Sequence, residues 1–122
     1  MRAGNFFCVA FLFVVIIAAA GCAYVKKDVV QVPCVISDTV SYAKNIAPII
    51  SANCDACHST ASNISGILLD NYGGLKFYAD NGFLYGTITH AGGYRPMPDG
   101  GGKMSDCDIA IIKKWIDKGS PQ

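Results

Sequence analysis

The chain has 122 residues and carries 10 Lys and Arg against 9 Asp and Glu, a formal net charge of +1 at pH 7. This balance supplies neither a basic field for nucleic acid nor an acidic surface for storing cations, so both kinds of partner are excluded. Hydrophobic residues make up 52% of the chain, but many of them lie in the first 20 positions. The remainder is enough for one small domain.

The N-terminal segment has the pattern of a secretory signal. An apolar run at positions 6–20 follows a short region with one basic residue, Arg2. The run is shorter than the roughly 20 apolar residues that span a bilayer, so cleavage is favoured over a retained transmembrane helix. We therefore expect residues 1–21 to be a signal peptide and the mature chain to be exported.

The signal ends in Ala19-Ala20-Gly21-Cys22, which resembles the lipobox of bacterial lipoproteins. In such proteins the cysteine is acylated and becomes the mature N-terminus, and two or more acyl chains anchor a protein stably. Residues 22–39 are then a lipidated anchor and tether, with a short strand at positions 29–32 as the alternative reading. The expected location is a membrane, with the domain facing the periplasm. The alternative is an incidental Cys22 beside an ordinary cleavage site.

Residues 40–120 carry the pattern of an all-α domain. A first helix is predicted at 40–53, with Thr39 or Ser41 as its cap. Pro48 should bend this helix or mark a break in it. Four apolar residues fall on one helical face: Tyr42, Ile46, Ile49 and Ile50.

From Ile67 onward two short helices are predicted, with breaks at Gly73-Gly74 and Asn81-Gly82. Residues 91–103 are rich in glycine and proline and form a loop, and long ordered loops are usually functional. Ser105 begins the clearest helix, because an acidic residue follows at the capping-box spacing. Its apolar face is made of Ile109, Ile112, Trp115 and Ile116.

Cys54-Asp55-Ala56-Cys57-His58 is the C-x-x-C-H signature of c-type haem attachment. Two thiols at this spacing reach the two vinyl groups of one porphyrin, while the adjacent histidine points its imidazole at the iron. A redox dithiol needs a strand before the motif and a helix after it, whereas here a helix precedes and a polar loop follows. A zinc site wants four ligands, and the only other histidine is His90. The motif predicts one covalent haem c, with His58 as the proximal iron ligand.

The glycine-rich loop supplies a sixth iron ligand. Met97 lies between two prolines, which is a poor place for a core-filling side chain and a rigid place for a ligand, and a thioether suits low-spin iron. Two alternatives remain open, Met104 just before the last helix and His90 just before the loop. Tyr94 or Arg95 is expected to donate a hydrogen bond to a haem propionate.

The order of helix, C-x-x-C-H, loop, short helices, Met-Pro loop and amphipathic last helix resembles the class I cytochrome c family, over roughly residues 40–120. More narrowly, the stretch SYAKNIAPI at 41–49 and Met104-Ser105-Asp106-Cys107 resemble small mono-haem cytochromes found as bacterial lipoproteins, as in the Bacteroidetes. The resemblance implies a cytochrome c fold whose first and last helices cross nearly at right angles over the haem. Ile46 or Ile49 would then meet Ile112 or Trp115.

A six-coordinate haem has no open iron position, so the expected function is one-electron transfer between redox protein partners, with no small-molecule substrate and no enzyme activity. One alternative is a peroxidase-like haem enzyme with an open or His-ligated sixth position. The other is a subunit whose haem relays electrons inside a larger complex.

Cys34 and Cys107 have no part in the expected haem site. In an exported protein two spare thiols are usually paired, and this pair would tie the end of the tether to the first turn of the last helix. The alternative is two buried free thiols.

Overall fold

The computed structural model describes residues 33–122, so the expected signal peptide, Cys22, the alternative strand and the first part of the tether lie outside the described residues. All regular structure in residues 33–122 is helical, and no strand occurs there, which confirms the all-α prediction for this part of the chain. The elements are a π-helix (Tyr42–Ile46), α1 (Ala47–Asn53), α2 (Asp55–His58), a 3₁₀ turn (Ile64–Gly66), α3 (Tyr72–Asp80), α4 (Phe83–Ile88) and α5 (Asp106–Asp117). None of these helices is long and apolar enough to cross a membrane.

The predicted helix at 40–53 is present but divided. A π-helix precedes α1, and Pro48 lies in the first turn of α1. Proline is tolerated there because the first amides of a helix have no intrahelical partner to lose. The sequence predicts that Pro48 bends the helix or marks a break. The backbone at Ile46 and Ala47 stays helical, so the structure shows a change from π-helical to α-helical hydrogen bonding just before Pro48 and no interruption of the helix. Ser41 is the residue before the π-helix, but its side chain makes no capping bond; its amide instead donates to Oδ1 of Asn45 at 3.0 Å.

The predicted break at Gly73-Gly74 is wrong, because both glycines lie inside the first turn of α3. The side chain of Asn71 caps this helix by accepting from the amide of Gly74 at 2.9 Å. A Cβ atom at Gly74 would collide with the backbone carbonyl of Leu68, whereas a Cβ at Gly73 would meet no close atom. Gly74 therefore permits a close approach of two backbone segments and does not end a helix. The break predicted at Asn81-Gly82 is present between α3 and α4.

The last helix agrees with the sequence pattern. The Ser105 side chain accepts from the amide of Asp108 at 3.0 Å, which is the predicted capping contact. After α5 the chain leaves helical geometry at Gly119, whose φ of +84° is a left-handed conformation that glycine adopts without strain. Trp115 then donates from Nε1 to the carbonyl of Pro121 at 2.7 Å, which fixes the last residues against the helix.

The helices of residues 33–122 pack around one hydrophobic core. Ile46, Ile112 and Trp115 have no exposed surface, and α5 packs against the π-helix and α4. Burial of a tryptophan and two isoleucines contributes several kcal/mol, since each large apolar side chain gives about 1.5 to 3 kcal/mol. The buried apolar residues are Val40, Ile46, Ile50, Leu69, Leu75, Ala79, Leu84, Ile88, Met104, Ile109, Ile112 and Trp115.

A disulfide joins the N-terminal end of the described chain to α5. The Sγ atoms of Cys34 and Cys107 are 2.06 Å apart, and the two residues are separated by 73 positions in sequence. Residues 33–40 have no regular structure, so this bond fixes a segment that packing alone holds weakly. Lys118 adds a second tie by donating to the backbone carbonyl of Asp38.

We predict that replacing both cysteines, Cys34→Ser with Cys107→Ser, lowers the free energy of unfolding by about 4 kcal/mol. A crosslink that closes a long loop restricts the unfolded chain, and the loss follows from removing that restriction. Urea titration of the variant and of the wild type, with and without a reductant, measures the difference. Equal midpoints for the oxidised wild type and the double variant would contradict the prediction.

A second prediction compares two neighbouring glycines of α3. Gly74→Ala should destabilise the protein by about 1 to 3 kcal/mol, because the new methyl group overlaps the Leu68 carbonyl. Gly73→Ala is the matched control and should leave stability unchanged or raise it by up to about 1 kcal/mol, since alanine favours helix over glycine. Thermal unfolding of the two variants distinguishes them, and equal effects would show that the close approach at Gly74 is absent.

Candidate functional site

A cavity of about 300 Å³ separates the C-x-x-C-H segment from the glycine-rich loop. Its walls are mostly apolar, and its charged residues are Arg95 and Asp99. This size and character are those of a small-molecule or cofactor site. The lining residues are Asn53, Cys54, Cys57, His58, Ile64, Leu69, Leu84, Thr87, Ile88, Arg95, Met97, Pro98, Asp99 and Met104.

The three motif side chains reach the cavity together because of the local backbone. Cys54 ends α1 and also begins α2, with φ −124° and ψ −37°. Its carbonyl accepts from the amides of Cys57 and His58 at 3.1 and 2.9 Å, which closes one helical turn. Residues three and four positions apart lie on one face of such a turn. Cys54, Cys57 and His58 therefore all face the cavity.

His58 is held by its backbone. Its carbonyl accepts from the amide of Leu69 at 2.7 Å, which joins the motif to the segment before α3. The ring nitrogen Nδ1 is buried and has no hydrogen-bond partner. Since Nδ1 is enclosed by protein, Nε2 is the ring nitrogen that remains available to a ligand in the cavity.

Electrostatics at Cys54 oppose the thiolate. Burial, and secondly the negative charge of Asp55, raises the pKa of the Cys54 thiol to about 11. Oδ1 of Asp55 is buried without a hydrogen-bond partner, so its charge is not offset by a donor there. Catalytic redox dithiols instead have a lowered pKa, because the thiolate is their nucleophile. The environment of Cys54 is thus the opposite of the one that a redox dithiol needs.

Met97, in the glycine-rich loop, lines the same cavity as the motif. It is half-buried, and its amide donates to the carbonyl of Thr87 in α4 at 3.1 Å. Met104 also lines the cavity but is 6% exposed and belongs to the hydrophobic core. His90 is not among the lining residues, and its Nε2 lies 3.1 Å from the carbonyl oxygen of Met97. Of the three candidate ligands, Met97 is the one at the cavity outside the core.

Tyr94 and Arg95 occupy different places. Arg95 lines the cavity and pairs with Asp99 at 2.7 Å, with 71% and 66% of the two side chains exposed. Tyr94 does not line the cavity. Its ring lies edge-on to Phe83 at 5.6 Å and packs over Gly86, where a Cβ atom would come within 2.5 Å of the ring.

Thr87 and Asp99 line the cavity but were not among the predicted site residues. The opposite charges of Arg95 and Asp99 four positions apart are a signal that the sequence does contain. Thr87 gives no such signal, because it contributes its backbone carbonyl, which any residue possesses.

The zinc alternative has no complete ligand set in the described part of the chain. Within residues 33–122, no three His, Cys, Asp or Glu side chains come close enough together to hold a metal ion by themselves. No protein family, curated protein or solved structure matches the chain. Function must therefore be inferred from the residues of the cavity.

We predict that in haem-free protein the alkylation rate of Cys54 rises with pH around a pKa of about 11, because only the thiolate reacts and burial disfavours it. A thiol pKa raised above its unfolded value of 9.0 stabilises the fold fully below pH 9, and that contribution is lost as the pH rises towards 11. Iodoacetamide labelling with mass spectrometry, using a Cys57→Ser background, measures the profile. A pKa below that of an ordinary thiol would instead support a redox dithiol.

Proposed function

We propose that this protein is a mono-haem cytochrome c that transfers single electrons between redox proteins, with Cys54 and Cys57 bound covalently to the haem and His58 and Met97 as axial ligands. The observation that carries the proposal is that the three C-x-x-C-H side chains and Met97, which is distant from them in sequence, line one cavity. The C-x-x-C-H spacing names the cofactor, and the cavity supplies a place for it.

The residues of the cavity fit a haem c. Cys54 and Cys57 would hold the haem by addition of each S–H across a vinyl C=C bond, which breaks the S–H bond and the C=C π bond and forms one S–C and one C–H bond with no net transfer of electrons. A protonated thiol with a pKa of about 11 at Cys54 is compatible with such an addition product, which carries no charge. Nδ1 of His58 is enclosed by protein, so Nε2 would be the atom that holds the iron. When bound, the haem supplies an iron centre that accepts and releases one electron.

Met97 and the apolar walls adjust the potential of that centre. A thioether ligand raises the reduction potential relative to bis-histidine ligation, and exclusion of water from an apolar site favours the less charged reduced state. Leu69, Leu84 and Ile88 are buried residues of the walls. These three apolar side chains thus influence the reduction potential of the haem but form no bond to it.

Arg95 is the cation available to a propionate. Its pair with Asp99 is largely exposed, and exposed ion pairs contribute about 0 to 1 kcal/mol, so the guanidinium can turn to a new anion at little cost. Tyr94 has a different task, since its ring supports the loop against α4.

The cavity favours a carrier over a haem enzyme. A peroxidase-like site needs an acid or base on the open side of the iron. On the Met97 side, the Thr87 hydroxyl donates to the Leu84 carbonyl at 3.0 Å, and 66% of the Asp99 side chain is exposed to solvent. Neither group is a buried acid or base directed at a substrate.

We further propose that the fold is that of class I cytochromes c and that the chain is an exported, lipid-anchored protein facing the periplasm. Packing of α5 on the π-helix, with Ile46, Ile112 and Trp115 fully buried, supports the first part. The bond between Cys34 and Cys107 supports the second, because structural disulfides persist in oxidising compartments.

Two matched substitutions test the ligand assignment. Met97→Leu should abolish the weak far-red absorption band that reports methionine sulfur on ferric iron, and should lower the reduction potential, while the haem stays covalently bound. Met104→Leu removes a thioether from the same cavity and should keep both the band and the potential, since Met and Leu are similar in volume. Visible spectra and a redox titration of both haem-loaded variants give the answer. Loss of the band in the Met104 variant alone would assign Met104 instead.

A further inference from the structure

Two hydrogen bonds hold the backbone of Met97 from both sides. The amide of Met97 donates to the Thr87 carbonyl at 3.1 Å, and the carbonyl of Met97 lies 3.1 Å from Nε2 of His90. The rest of the loop is rich in glycine and proline and has no regular structure. The position of Met97 thus depends on these two contacts more than on the loop around it.

The contact with His90 fixes the state of its ring. A carbonyl oxygen only accepts hydrogen bonds, so Nε2 must carry the proton and act as the donor. That nitrogen is then unable to bind iron, and the ring does not line the cavity. His90 therefore acts on the Met97 backbone and does not compete with Met97 as a ligand.

The backbone of His90 is unusual for a residue with a side chain. Thr89 ends α4, and His90 follows it with φ +56°, a left-handed conformation. Glycine is the usual residue directly after a helix end in this conformation, because it has no Cβ to strain. A histidine in this conformation carries backbone strain. The hydrogen bond to Met97 is a contact that glycine could not make, and it offsets that strain.

We propose that His90 is a positioning residue for Met97. Its Nε2–H donates to the Met97 carbonyl while the Met97 amide donates to the Thr87 carbonyl, and the two bonds together keep the thioether directed at the iron. This inference rests on the proposed function, since it concerns the same axial ligand. As a result, an added ligand should compete only weakly with Met97 for the sixth coordination position of the iron.

The test uses haem-loaded protein and added imidazole, which competes with Met97 for ferric iron. His90→Gly removes the donor but keeps a residue that favours the left-handed conformation, so the midpoint of thermal unfolding should stay equal or rise. Imidazole should nevertheless bind roughly tenfold more tightly, the upper end of what one hydrogen bond contributes. His90→Gln retains an N–H donor and should restore the affinity to within about threefold of wild type.

Thr89→Ala is the matched control. Thr89 precedes His90 and donates from its hydroxyl to the Tyr85 carbonyl at 2.7 Å, and it makes no hydrogen bond to Met97. This variant should lose some stability and keep the wild-type affinity for imidazole. The positioning role is overturned if the His90→Gly variant binds imidazole with the wild-type affinity. It is also overturned if Thr89→Ala raises the affinity for imidazole as much as His90→Gly does. If wild-type ferric protein lacks the far-red band of methionine ligation, the proposed ligand set itself fails, and this inference fails with it.

Discussion

The hydrogen bond from the Met97 amide to the Thr87 carbonyl is the contact that creates a two-sided site. The loop at 91–103 has many glycines and no regular structure, and this bond holds it to α4 together with the Tyr94 ring, which packs over Gly86. The helix α4 packs in turn on α5. The contact therefore ties Met97, which lines the cavity without belonging to the hydrophobic core, to helices that are packed in that core.

The part of the cavity formed by the C-x-x-C-H segment depends on a break between two helices. Cys54 leaves helical geometry between α1 and α2, and one further helical turn directs both cysteines and His58 to the same side. Ile46 and Ile50 anchor the preceding segment in the core with at most 1% of their surface exposed. The two walls are thus fixed independently, one by α1 and one by α4, and both rest on the core that Trp115 fills.

Much of this was predictable from sequence because it depends on local chemistry. The capping contact of Ser105 and the C-x-x-C-H turn each follow from residues within a few positions of one another. The break predicted at Gly73-Gly74 was wrong because Gly74 is required by the close approach of the Leu68 backbone carbonyl, which no side-chain pattern shows. The contact of His90 was not predicted, since its partner is the backbone carbonyl of Met97, a group that every residue has.

Covalent haem attachment is tested most directly by the mass of the peptide that contains residues 54–58, taken from wild-type protein produced with a c-type haem attachment system and extracted with acidic acetone. We expect this peptide to retain the mass of one haem, bound through both Cys54 and Cys57. A peptide with two free thiols, or with a disulfide between them, would show that the motif does not bind haem and would instead indicate redox chemistry of its cysteines.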